Sequence, residues 1–125
     1  MDREIFEKLV EEGIDLIPKK FLDKLDNVVI VVEDEANQYQ LNKVNLPAGQ
    51  VLFGLYEGVP LIRRNSAYGN VLPDKITIFQ KPIEAYCASE EEIREKVRDT
   101  VWHEIAHHFG SDEHGAQRAG RNSNK

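Results

Sequence analysis

The chain has 125 residues, of which 41% are hydrophobic and 30% charged, and its formal net charge is −6. That allows one domain with a modest core, and no apolar run approaches the ~20 residues of a membrane span. An acidic body repels phosphate backbones, which sets nucleic acid aside as a default partner.

Cys87 is the only cysteine, so no internal disulfide can form and a reducing compartment is expected. The opening MDREIFEKLVEEG lacks the basic-then-apolar order of a secretory signal, and the expected location is the cytoplasm. From Gly115 onward the chain holds Arg118, Arg121 and Lys125 and no acid. We expect one domain over residues 1–116 and a short, basic, disordered tail over 117–125.

In chain order, Arg3 to Glu12 reads as a helix. Ile5, Phe6, Leu9 and Val10 form its apolar stripe, and Gly13 is placed to end it. A short second helix should follow Pro18, with Phe21, Leu22 and Leu25 facing inward. Asn27 to Glu33, NVVIVVE, is a β-branched run that reads as a strand covered on both faces. Asp34 to Gln50 is polar, has no clear period and reads as a long loop.

Val51 to Tyr56 is the second strand candidate, where Gly54 suggests a bulge or a close backbone approach. Leu61 to Arg64 opens a further stretch with two adjacent arginines, and Asn65 to Asp74 is turn chemistry. Lys75 to Gln80 is a third strand, closed by Pro82. Ser89-Glu90-Glu91-Glu92 is a capping box for a final helix, with Ser89 as N-cap and Glu92 at N3. That helix runs uninterrupted to Phe109, and Gly110 suits its end. Cys87, just before the box, reads as a buried structural cysteine.

The final helix carries TVWHEIAHHFG (Thr100 to Gly110), which contains His-Glu-x-x-His. At about 100° per residue, His103 and His107 lie only about 40° apart, and Glu104 lies about 100° round from His103. Ile93, Val97, Val101 and Ile105 form a core stripe on one flank, towards which His108 should point. Trp102 and Phe109 form a second apolar patch. After Thr100 the helix is apolar nearly all round, which implies that its imidazoles and carboxylate are buried, and buried polar groups need partners.

Two imidazoles one turn apart can share one Zn²⁺ at ~2.0–2.1 Å. The neighbouring carboxylate then reaches the metal-bound water, whose pKa zinc lowers to about 7, and acts as general base. The third ligand is open: Glu113 stands three residues after Gly110, in the register His-Glu-x-x-His-x-x-Gly-x-x-ligand, with Asp112 and His114 on either side. The downstream-helix glutamate of thermolysin-like enzymes has no counterpart after His107. The only methionine is Met1, so a Met-turn is absent. Tyr56, Tyr68, Arg63 and Arg64 are candidates to stabilise an oxyanion.

Three stretches together resemble the small bacterial zincin-like metallopeptidase family: GLYEGVPL (Gly54 to Leu61), LPDKITIF (Leu72 to Phe79) and VRDTVWHEIAHHFGSDE (Val97 to Glu113). The likeness runs from about residue 6 to residue 113. Members commonly carry aspartate at the third position after the glycine; here Glu113 stands there, beside Asp112. The resemblance implies an α+β minimal zincin fold. A small mixed sheet of three or four strands would pack on an N-terminal helix and a long C-terminal active-site helix. It also implies one Zn²⁺ held by His103, His107 and Glu113 or Asp112, Glu104 as base, and a peptide or protein substrate. By the same resemblance an edge strand at Gly54, Leu55 and Tyr56 would pair with an extended peptide. Two other functions are weighed against this peptidase. One is a non-catalytic zinc-binding interaction module. The other is a zinc-dependent endoribonuclease, whose motif would carry glycine where Glu104 stands.

Overall fold

Helix α1 (Arg3–Asp15) buries Phe6, Leu9, Val10 and Gly13 in the computed structural model, which describes residues 1–25, 27–47, 49–58 and 73–109. Ile17 continues this stripe one turn on and is buried too, whereas Ile5 is 47% exposed. The inward face therefore follows i, i+3, i+4, i+7 rather than the neighbouring pair Ile5 and Phe6. After Pro18 come α2 (Lys19–Leu22) and a 3-10 turn (Asp23–Leu25), whose Phe21, Leu22 and Leu25 pack against the core as expected.

Strand β1 (Val28–Glu33) is followed by α3 (Gln38–Lys43), then β2 (Gly54–Glu57) and β3 (Asp74–Phe79). Helices α4 (Gln80–Tyr86) and α5 (Glu90–Phe109) complete the described residues. The sheet has the order β1-β3-β2, with β1 parallel and β2 antiparallel to β3. This is a small α+β architecture with a three-stranded mixed sheet, an N-terminal helix and a long C-terminal helix, consistent with a minimal zincin fold.

Several local expectations change. The strand covered on both faces is β3, where Ile76, Thr77, Ile78 and Phe79 are all 0% exposed. β1 is an edge strand, only partly covered, although its β-branched run is the stronger strand signal. The expected loop of residues 34–50 contains α3, opened by a full capping box. The Asn37 side chain accepts from the Gln40 N–H and the Gln40 side chain accepts from the Asn37 N–H. That Asn-x-x-Gln signal is in the sequence but is obscured by the polarity around it.

Pro82 does not merely close β3. It sits in the first turn of α4, where a missing N–H costs nothing. At the start of α5 the Ser89 hydroxyl accepts from the Glu92 N–H at 3.1 Å. The Glu92 carboxylate reaches one residue further than a standard box, taking the Ala88 N–H at 2.9 Å. The Leu61 to Arg64 stretch, the turn of residues 65–72, and the tail from 117 with its boundary lie outside the described residues.

Gly13 does not end α1. It lies inside the helix, and its φ is not positive. Its place is set by the α1–α5 contact: a Cβ there would stand 2.6 Å from the Arg94 carbonyl oxygen and 3.0 Å from Val97 Cβ. Glycine at this point lets the two helices approach closely enough to bury Val97 completely. A mid-helix Gly→Ala exchange ordinarily stabilises by up to ~1 kcal/mol. Here Gly13→Ala should instead destabilise by about 1–3 kcal/mol, because a backbone oxygen cannot swing aside. Urea unfolding of the two proteins measures the sign, and a more stable variant would refute the close approach.

Candidate active site

The core stripe of α5 forms as expected, with Ile93, Val97, Val101 and Ile105 buried. Trp102 packs on Phe21 with ring centroids 5.0 Å apart. This clamps one side of the helix to α1 and the sheet and leaves the side bearing His103 and His107 facing out. Both imidazoles are exposed, contrary to the burial that the apolar surroundings suggested. The apolar neighbours are used by α1, α2 and β3, and the imidazoles open onto a cleft.

β2 forms the opposite wall of that cleft. It runs parallel to α5, advancing two residues for each helical turn, since two extended residues and four helical ones both span about 6–7 Å. Gly54 lies against Thr100, where a Cβ would stand 2.6 Å from Thr100 Cγ2. The Tyr56 N–H donates to Glu104 Oε1 at 2.9 Å. Gly58 lies beside His108, 3.6 Å from its Cε1 by the same measure. The close approach expected at Gly54 is therefore a strand-on-helix contact.

Antiparallel pairing alternates, and the Phe79 N–H donates to the Phe53 oxygen, so Phe53, Leu55 and Glu57 address β3. The main-chain groups of Gly54 and Tyr56 consequently point away from the sheet, towards α5. Two adjoining cavities of about 680 and 510 Å³ lie along this edge, and His103, Glu104, Gly54 and Leu52 line both. Leu55 and Tyr56 line the larger one. The sequence-predicted His103, Glu104, His107, Gly54, Leu55 and Tyr56 are thus brought together at one cleft. Asp112, Glu113, His114, Arg63, Arg64 and Tyr68 lie outside the described residues.

Glu104 sits between the two histidines in sequence and is partly buried under β2. Burial pushes its carboxyl above the ordinary carboxylate range, against the Tyr56 N–H and the charges of His103 and His107, which favour ionisation. Oε1 is occupied by the Tyr56 amide, which leaves Oε2 as the oxygen available to the cleft.

The ring centroids of His103 and His107 are 6.0 Å apart with planes at 40°. With metal–nitrogen bonds of ~2.0–2.1 Å, both exposed rings could reach one ion after turning about an ångström towards each other. Two nitrogen donors, solvent-facing and one helical turn apart, fit zinc as part of its ligand set. Among the described residues no group of three or more His, Cys, Asp or Glu could hold an ion by itself, so an ion at the two histidines would need a further ligand.

His108 does not point towards the core stripe. Its ring stacks on Tyr56 with centroids 3.9 Å apart and planes at 15°, and its side chain is 41% exposed. The Tyr56 hydroxyl donates to Asp74 Oδ2 at 2.6 Å, so the phenol is directed to the start of β3. Two residues unmarked by the sequence, Lys43 of α3 and Glu57 of β2, also line the larger cavity and pair at 2.8 Å. Burial pushes the Glu57 carboxyl up, but Lys43 and Gln40 together hold it below the ordinary range. Cys87 is partly buried against the core, and burial with Glu92 nearby raises its thiol, which makes it a poor nucleophile.

A minimal zincin is the class that this fold and cleft define. Residues 25–120 match the model of the zincin-like metallopeptidases, and the chain belongs to that family. No curated protein matches it. Among solved structures it is similar to a conserved hypothetical protein from Thermo thermophilus, at 24% identity and a TM-score of 0.54. That match covers 88% of this chain and 95% of the other, and shows likeness of fold. No helix among the described residues is long and apolar enough to cross a membrane.

The raised Glu104 carboxyl has a consequence for stability. The native state holds this proton more tightly than the unfolded chain does, so stability falls as pH rises through and above the ordinary value of 4.5. In metal-free protein Glu104→Gln keeps an acceptor for the Tyr56 N–H and removes the ionisation. The variant should be more stable than the parent at neutral pH, with the difference closing towards pH ~4, below which both carboxyl and amide are neutral. Urea midpoints across that range test it, and a gap that does not change with pH would sink it.

Proposed function

We propose that this zincin-like chain is a zinc-dependent peptidase acting on an extended peptide laid along the outer edge of β2. The observation that carries the reading is the placing of Glu104. It is a carboxylate made more basic by burial, between two outward-facing imidazoles, at the one sheet edge that faces the helix. His103 and His107 would hold the ion, with Glu113 or Asp112 as the further protein ligand. When bound, zinc supplies a Lewis acid that polarises the scissile carbonyl and makes a water molecule easier to deprotonate.

The chain's own residues do the rest. Glu104 Oε2 takes the proton from the attacking water and can return it to the departing amine nitrogen, a shuttle favoured by a carboxyl raised above the ordinary range. Main-chain groups of Gly54 and the Tyr56 carbonyl offer the peptide strand-like hydrogen bonds, which bind the backbone with little dependence on sequence. The β2–α5 contact keeps that strand at a set height above the two histidines.

Zinc-loaded protein should cleave members of a mixed peptide library, and Glu104→Gln should lower the rate by about 10²–10⁴-fold while zinc stays bound. His103→Ala and His107→Ala should each lose zinc as well as activity, read by metal analysis after dialysis. Equal residual cleavage by the parent and Glu104→Gln proteins would overturn the proposal. So would tight, stoichiometric zinc with no cleavage of any library member, the behaviour expected of a non-catalytic module.

A further inference from the structure

Tyr56 makes three contacts on two elements at once. Its N–H donates to Glu104 on α5, its hydroxyl donates to Asp74 at the start of β3, and its ring is stacked by His108 one turn beyond Glu104. Asp74 is only 6% exposed, so the phenol–carboxylate bond of 2.6 Å is shielded from competing water. The β2 backbone at this residue lies on the sheet's outer edge, where β3 contributes no hydrogen bond to the Tyr56 amide. Main-chain pairing turns that amide outward, but no hydrogen bond from β3 holds it against Glu104. The side chain is tied down separately, by Asp74 and His108.

We propose that Tyr56 and Asp74 are positioning residues for Glu104. The Asp74–Tyr56 bond, with the His108 stack closing over it, holds the β2 amide against Oε1 and so aims Oε2 into the cleft. The catalytic consequence rests on the peptidase reading above; the positioning itself does not. The three sequence stretches that carry the family resemblance meet in this one cluster. Tyr56 comes from GLYEGVPL, Asp74 from LPDKITIF, and Glu104 and His108 from the helix. A carboxylate on a helix has free rotation about its side-chain bonds, and fixing one oxygen by a backbone donor removes most of that freedom.

Amide hydrogen exchange of the full-length, metal-free protein, followed by NMR at one pH, tests the positioning without any assay of activity. The Tyr56 amide should be protected, and Glu104→Ala should lower that protection about tenfold by removing the acceptor. Tyr56→Phe, which removes only the hydroxyl, should lower protection at residue 56 by a similar factor of about ten. Leu55 and Glu57, bonded to β3, should keep theirs. Asp74→Ala should act like Tyr56→Phe, while Asp74→Asn, which keeps an acceptor, should restore protection.

Unchanged exchange at residue 56 in both Tyr56→Phe and Glu104→Ala would overturn the proposal. Equal loss at residues 55, 56 and 57 would also overturn it, since β2 would then merely have loosened. In zinc-loaded protein that cleaves peptides, Tyr56→Phe should lower kcat with zinc affinity unchanged. A protein with the expected exchange pattern and no cleavage at all would overturn the peptidase reading and leave the positioning intact.

Discussion

Everything at the cleft depends on how closely β2 can approach α5. A strand and a helix can run side by side only where no side chain keeps their backbones apart, and Gly54 against Thr100 supplies that gap. Once the strand is seated, the equal advance of two extended and four helical residues carries the contact along. Gly54 meets Thr100, Tyr56 meets Glu104, and Gly58 meets His108. One small residue at the start of the contact thus sets the height of the strand above the histidines.

The same geometry explains why Glu104 tolerates its surroundings. A carboxylate under a strand loses water on one side and would be costly to ionise there without a donor. The Tyr56 amide is itself a group in need of a partner, because it faces away from β3. Each satisfies the other. The result is a carboxyl with one oxygen committed to the Tyr56 amide, and burial raises it above the ordinary carboxylate range. Burying this carboxyl costs stability at neutral pH, a trade of the kind found where function needs a group held in place.

Behind the cleft, the core is built on one small residue and one apolar stripe. Gly13 lets α1 sit against Arg94 and Val97, and the buried stripe from Ile93 to Ile105 fills the space between α1 and β3. Each fully buried valine or isoleucine there contributes roughly 1.5–3 kcal/mol relative to exposure. Arg3 ties the open end of the sheet, donating to Gln80 Oε1 at 2.7 Å and the Val32 oxygen at 2.9 Å and pairing with Asp34. The helix bearing the histidines is therefore anchored along its inner face, which leaves its outer face rigid and accessible.

Much of this was legible in the residues themselves. Periodicity and capping placed α5, its core stripe and the two histidines on one side, because those depend on helical geometry and hold whatever packs nearby. β-branched runs found β1 and β3, and the glycine in VLFGLY marked a close approach. Other features depend on partners distant in the chain and could not be read locally. Which strand is central was decided by pairing order, so the strongly β-branched β1 became an edge. Whether Gly13 stopped a helix or fitted under another one depended on where Arg94 came to lie. His108 turned from the core to Tyr56 because β2 occupies that side of α5. Residue order alone settles which side chains could do chemistry and on which helix they stand. What faces them is settled by folding, since the Tyr56 amide and the Asp74 carboxylate reach the site through contacts spanning 48 and 18 residues of chain.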